Sequence, residues 1–402
     1  MRSRRKLVAW CVLLPIIMVG VIWARSVPTI TVVVLTSATM VAESSSDIGP
    51  PRFCDECDGQ WVCFDSQGNM VLRHVLGHSN AFKDGYADFR VFDYQGKAQM
   101  ARGFMDETGR AVLILGAEAV YACSEGMARF EVRANRVPGI SYRYGYVSTD
   151  GTLAIPPIFS DAGDFSEGLA WVNKGASNWN RGLVTGGAYG YIDKSGAVVI
   201  PISFYDVGDF SHGLAPAAMS FGAYGYIDKS GAFVIPPAYE TAEEFSDGLA
   251  RVGRVGGYGF INTKGELVID YQFHSASRFS EGLAAVGDTS NRTGYIDKQG
   301  QLVIPFQDIN GFDFSEGLAA VDTTDANGRF IMGYINRSGE FAIEPRFDHA
   351  GTFRDGIADV IVADRVSSER PPYIDRHGNG IDPCAEPKNV VAKDLQEAGE
   401  GQ

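Results

Sequence analysis

The sequence predicts an all-β fold: a tandem repeat array of about eight three-stranded β-meander units. Three observations predict it. A heptapeptide recurs as GYIDKSG at 190–196 and 225–231, GFINTKG at 259–265, GYIDKQG at 294–300 and GYINRSG at 333–339. A second motif precedes each copy: FSEGLA at 165–170, FSHGLA at 210–215, FSDGLA at 245–250, and FSEGLA at 279–284 and 314–319. FRDGIA at 353–358, FKDGYA at 82–87 and CSEGMA at 123–128 are further copies. Third, apolar runs of four or five residues alternate with Gly, Asn and Asp, and no stretch beyond the N-terminal segment sustains the spacing of an amphipathic helix.

The glycines of the second motif, Gly85, Gly126, Gly168, Gly213, Gly248, Gly282, Gly317 and Gly356, are separated by 41, 42, 45, 35, 34, 35 and 39 residues. The basic period is therefore about 35 residues, with insertions in the early units. Stacked units of this kind share one continuous core whatever the chain length, here 402 residues. The variable period favours an open, curved, solenoid-like array; a closed, propeller-like ring is the alternative. In a ring, Cys384 falls near the cysteines at 54–63.

One unit, 279–313, illustrates the elements in order. FSEG is a turn and 283–286 a short strand. GDTSNRT is a loop, 294–298 the second strand, and 302–306 the third. QDINGFD returns the chain to the next unit. The last glycine of the heptapeptide supplies the positive φ of a hairpin turn. Asp193, Asp228 and Asp297 bond the backbone of their own turns. Tyr191 and Ile192 alternate faces. Pro201, Pro236 and Pro305 end the third strand, because proline cannot donate to a ladder. The phenylalanines Phe165, Phe210, Phe245, Phe279 and Phe314 pack between adjacent units.

At the start of the array, WVCFDSQG (61–68) aligns with the heptapeptide when Asp65 is set against Asp193, which puts Cys63 in the place of Tyr191. At its end YIDRHG (373–378) aligns likewise, and Cys384 closes the last strand. The expected organisation is a targeting segment at 1–42, a linker at 43–52, a cysteine-rich cap with a partial repeat at 53–81, the array at 82–384, and a disordered polar tail at 385–402.

The formal charge is −14, and it is −19 once the five basic residues of 1–42 are set aside. Such a body repels phosphate backbones, so no nucleic-acid partner is expected. MRSRRK precedes an uncharged apolar run at 7–24, long enough for a spanning helix or a signal core. The basic residues should stay cytoplasmic and place the rest across the membrane. A second apolar run, 27–42, is shorter and β-branched. It reads as the end of a long signal peptide cleaved near Ala38 or Ala42, or as a signal core if translation starts at Met18. The expected location is periplasmic or extracellular, with residues 7–24 as a tether.

Cys54, Cys57 and Cys63 form a C-x2-C-x5-C pattern, with His74 and His78 downstream. Two readings stand open. Three thiolates and His74 suit a tetrahedral zinc site. In an oxidising compartment the same thiols, with Cys384, become disulfides. With Cys123 the body holds five cysteines, so one is left over.

The units resemble the WG repeat, a β-rich bacterial repeat family of the form GLAxV…WGYIDxxGxxVIPxxYDxAxxFxEG. The resemblance covers about residues 60–384 and is densest at 165–357. The tryptophan of that pattern is replaced by Tyr144, Tyr189, Tyr224 and Tyr258, then by Thr293 and Met332. Thr293 and Met332 lack an aromatic ring, so those two positions are expected to be exposed or loosely packed. The resemblance implies a β-rich fold and a binding role, and it brings no catalytic residues.

No nucleophile elbow, zinc-protease helix motif or phosphate loop is present. The carboxylates Glu167, Asp247, Glu281 and Glu316 occupy equivalent turn positions, unlike a catalytic pair set in differing environments. The insertion at 173–188 breaks the repeat and carries Trp179, Asn180 and Arg181, the candidate partner-binding loop. The expected function is a non-catalytic binding or scaffold protein of the cell envelope, with a protein or glycan partner and no cofactor. A hydrolase acting on envelope glycan or peptidoglycan and a purely structural spacer are the alternatives.

Overall fold

The computed structural model describes residues 17–19, 30–35, 53–57, 60–64, 70–74, 85–92, 99–108, 110–134, 142–175, 177–178, 184–362 and 373–381. Every regular element among them is a β-strand. They form nine sheets of three to five strands and one two-stranded ribbon. The first sheet joins Ile17–Val19 and Thr31–Leu35 to three strands within 86–115, and the second spans 53–74. The third to ninth sheets follow at 119–159, 161–204, 206–239, 241–273, 275–307, 310–347 and 349–381. Each of these seven is a four-stranded antiparallel meander with its strands in chain order.

The expected three-stranded unit is therefore corrected to four strands. In most sheets the addition is a strand of two residues, such as Asp161–Ala162, Asp206–Val207 or Thr241–Ala242. It lies in the segment read as a return loop. Two residues display no periodicity, and they pair through the backbone alone, Asp161 with Asn173 and Ala162 with Val172.

Both turns behave as their residues dictate. In the FSEG turn Glu167 and Gly168 take φ of 51° and 89°, both left-handed, as a type I′ hairpin requires. Ser166 and Leu169 close it with N–H···O bonds of 2.9 and 3.1 Å. Glu125, His212, Asp247, Glu281, Glu316 and Asp355 repeat the conformation at φ between 50° and 56°. In the heptapeptide turn Asp193 Oδ1 accepts from the amides of Ser195 and Ala197 at 2.9 and 3.1 Å. The Ser195 hydroxyl first, and these amides with it, hold the Asp193 carboxyl below its usual range.

Tyr191 and Ile192 point to opposite faces, and both are buried. The sheets are thus covered on both sides, and the core is a series of apolar layers between successive sheets. Ile192 packs with Ile155, Phe165 and Val172, while Tyr191 packs with Ile200, Phe210 and Ile227 in the next layer. The motif phenylalanines form the expected ladder. Phe165 meets Tyr146 edge-on at 5.0 Å, Phe210 meets Tyr191 at 4.9 Å, Phe279 meets Phe260 at 4.8 Å and Phe314 meets Tyr295 at 5.0 Å. Each such pair contributes about 0.5–1.5 kcal/mol beyond its buried area.

The prolines do not end a strand, which corrects a second expectation. Val198–Phe204 runs through Pro201. It is the outer strand of its sheet, where a missing N–H costs no ladder bond. Its register shifts twice: Ile192 pairs with Val198, Tyr191 with Ile200 and Tyr189 with Phe204. These bulges press the outer strand against Gly190, where a Cβ would lie 2.7 Å from the Ile200 and Pro201 carbonyl oxygens. The glycine of the family's WG pair is therefore a close-approach residue.

Thr293 and Met332 were expected to be exposed or loosely packed, yet they are only 9% and 8% exposed. Tyr144, Tyr189, Tyr224 and Tyr258 at equivalent positions are less buried. The smaller side chains sink between the sheets, and Met332 Sδ accepts the Ala350 amide at 3.3 Å. The tyrosines instead carry a hydroxyl that must reach water or a partner.

Ile30, Val32 and Val34, within the run assigned to the targeting segment, are buried in the first apolar layer. Thr31–Leu35 pairs with Ala111–Leu115. Among the described residues no helix is long and apolar enough to cross a membrane. Of the run 7–24, residues 7–16 and 20–24 lie outside the described residues, as do the linker 43–52 and the tail from 382 onward.

Candidate binding face

The meander gives the array two unlike sides. Ala170 pairs with Ile192 near the two turns, and Lys174 pairs with Ala188 at the other end. One side thus carries both repeated turns, and the other carries the variable loops between the second and third strands.

The turn side is occupied by contacts between units. The Ser166 hydroxyl donates to the Phe210 carbonyl at 2.7 Å, and Ser124, Ser211, Ser246, Ser280 and Ser315 do the same one unit apart. The Glu167 carboxylate accepts the Gly213 amide at 3.1 Å, and its carbonyl accepts Lys229 Nζ at 2.8 Å. Glu125, Asp247, Glu281 and Glu316 make the same clasp, receiving Lys194, Lys298, Arg337 and Arg376. The equivalent turn carboxylates therefore join neighbouring units. Their place in turns is legible from the motif, whereas the clasp is not, because its two halves lie more than 40 residues apart.

The loop side is where the repeat stops repeating. Phe221 and Val255, at adjacent loop tips, are 86% and 89% exposed, and Met219 is exposed beside Phe221. Tyr205 meets Phe221 edge-on at 6.4 Å. A cleft of 290 Å3 opens between the fifth and sixth sheets, the two that carry these tips. Asp206, Tyr224, Glu243, Glu244, Arg251 and Tyr258 line it.

Every charge in the cleft has a protein partner. The Tyr224 hydroxyl donates to Asp206, and Arg251 pairs with Glu243. Arg251 also donates to the Ala276 carbonyl at 2.8 Å and lies 4.7 Å from the centre of the Tyr258 ring. Burial pushes the Tyr224 hydroxyl up, and its bond to Asp206 adds to the shift. Burial lowers Arg251. Glu244 accepts the Asp209 amide at 3.2 Å. Burial first, then the charges of Glu244 and Asp164, pushes the Asp209 carboxyl up to about 6. The cleft is acidic, with two tyrosine rings on its walls. It suits a ligand that brings positive charge or many hydroxyls.

Trp179, Asn180 and Arg181 lie outside the described residues. The insertion that carries them begins and ends as a ribbon, Ser177 pairing with Thr185 and Asn178 with Val184, on the loop side of the fourth sheet. The cysteine-rich segment is a hairpin followed by a third strand. Its register sets Cys54 opposite Cys63, Cys57 opposite Gln60 and His74 opposite Trp61. His78 and Cys384 lie outside the described residues, and Cys123 is buried. Among the described residues no group of three or more His, Cys, Asp or Glu is placed to hold a metal ion.

The repeat profile described as WG containing repeat matches six times, at 144–178, 189–219, 224–253, 258–287, 294–323 and 332–364. The chain belongs to the WG repeat family. Each WG repeat begins on the third strand of one sheet and, in the regular units, ends on the second strand of the next. A sequence repeat therefore spans two sheets. Among solved structures, the chain is similar to one titled a eukaryotic initiation factor. The TM-score is 0.53 at 9% identity, covering 83% of this chain and 95% of that one. BamB from Moraxella catarrhalis aligns at TM-score 0.39 and 11% identity, covering 82% and 97% of the two chains. A WD40 domain of Toxoplasma gondii coronin aligns at 0.28 and 13%, covering 61% and 64%. No curated protein matches the sequence.

Proposed function

We propose that this WG repeat protein is an exported, non-catalytic binding or scaffold protein of the cell envelope, built as an open array, whose loop side docks a protein partner. The carrying observation is the pair of exposed apolar residues, Phe221 and Val255, on loops of the same two sheets that enclose an acidic cleft. Exposed apolar residues bordered by polar groups are a common make-up of a docking site. A partner with a basic side chain between apolar ones complements both features. The basic start followed by the uncharged run at 7–24 supports export.

The test uses the full chain with a soluble envelope fraction and crosslinking. Wild type should capture a defined protein that F221D/V255D loses by more than tenfold, with both proteins equally folded by circular dichroism. Equal capture by both removes the loop side from consideration.

A hydrolase is the second reading, because Asp209 and Glu244 are neighbouring carboxylates and one of them is pushed up to about 6. Turnover of peptidoglycan or envelope glycan that D209N abolishes would replace the binding reading.

A further inference from the structure

The strands Phe53–Cys57 and Gln60–Phe64 are joined by two residues, Asp58-Gly59. Asp-Gly is the preferred dipeptide of a two-residue type I′ hairpin. The turn chemistry and the register agree: Cys57 stands opposite Gln60 and, three pairs further on, Cys54 opposite Cys63.

Paired residues in an antiparallel ladder alternate between hydrogen-bonded and non-hydrogen-bonded sites. In a two-residue hairpin the closing pair, here Cys57 and Gln60, is hydrogen-bonded. Glu56–Trp61 is then non-hydrogen-bonded, Asp55–Val62 hydrogen-bonded, and Cys54–Cys63 non-hydrogen-bonded. At such sites the Cα atoms stand about 4.5 Å apart, within the roughly 4.4–6.8 Å that a disulfide spans. Cys57 is an odd number of residues from Cys54 and therefore belongs to the opposite face of the hairpin. The strand separates the C-x2-C pair, and three thiolates divided between two faces do not converge on one zinc ion.

We propose that Cys54 and Cys63 form a cross-strand disulfide, leaving Cys57 as a thiol on the other face. The oxidant is a small-molecule or protein disulfide. One cysteine thiolate attacks it and releases the first thiol. The second cysteine thiolate then displaces the mixed disulfide and releases the second. Two cysteine thiols lose two electrons and two protons, and the oxidant's S–S bond becomes two thiols. Which cysteines pair follows from the hairpin register, and the bond forms where the surrounding thiol–disulfide poise is oxidising.

The experiment equilibrates the full chain with oxidised and reduced glutathione, alkylates the remaining thiols and maps unreduced peptides by mass spectrometry. The expected result is a Cys54–Cys63 linked peptide with Cys57 alkylated. The C57S variant should show the same link in the same fraction. A Cys54–Cys57 or Cys63–Cys384 link overturns the proposal, as does alkylation of all three thiols in the oxidising buffer. So does one equivalent of zinc protecting Cys54, Cys57 and Cys63 together. The readout is the map of the wild-type chain, so it does not depend on any variant folding.

Discussion

Asp209, whose amide donates to the cleft-lining Glu244, carries a carboxyl raised by burial and by its acidic neighbours. Its folded pKa of about 6 lies above the ordinary carboxylate value, so the folded protein holds this proton more tightly than the unfolded chain does. The stability it contributes is complete below about pH 4 and is lost as pH rises through 6. D209N should therefore raise stability at pH 8 by on the order of 2 kcal/mol and change it little at pH 4.5. Urea unfolding midpoints at the two pH values check this. An equal loss at both would mean that the carboxylate is needed where it stands. Little of this was legible, because the charges that raise Asp209 come from neighbouring units about 35 and 45 residues away. What was legible at this scale was local. Asp193 bonds its own turn, and the alternation of Tyr191 and Ile192 follows from the strand period alone. Burial at Thr293 and Met332 was misread because the missing ring was taken for missing packing, whereas a smaller side chain at that site sits deeper.

At the scale of elements, five of six junctions between the third and ninth sheets carry the turn-side clasp, and one does not. Between the fifth and sixth sheets His212 replaces the carboxylate and Thr263 the lysine or arginine. The two changes fall at the same junction, and it is the junction that holds the cleft. The Ser211 and Tyr226 hydroxyls still reach across, to the Phe245 and Glu243 carbonyls at 2.6 and 2.8 Å. H212E and T263K together should install the clasp, with a coupling energy of about 0.5–1 kcal/mol and slower hydrogen exchange at the Gly248 amide. A double-mutant cycle with zero coupling would show that the clasp adds geometry without stability. The strands themselves were legible from period and turn residues. The two-residue strands and the bulges were not, since both are set by backbone pairing that leaves no pattern of apolar residues.

For the whole molecule, the array begins earlier than its repeats do. Thr31–Leu35 covers one edge of Ala111–Leu115, and Val32 and Val34 share a layer with Val112 and Ile114. Removing residues 1–35 should expose that layer, raise binding of a hydrophobic dye and speed amide exchange at 111–115 while leaving 190–340 protected. Unchanged exchange at 111–115 would show that the strand is dispensable. The repeats are almost independent of this edge, because each unit closes against the next.

The clasp also governs how such a chain can lengthen. The acidic half sits in one unit and the basic half in the unit that follows. A standard unit carries both halves, so a tandem gene duplication inserts a copy that already fits on either side. Of the fourth to eighth sheets, the fifth and sixth are different: the fifth offers His212 forward in place of a carboxylate, and the sixth presents Thr263 backward in place of a lysine or arginine. Two copies of either in succession would meet through half a clasp.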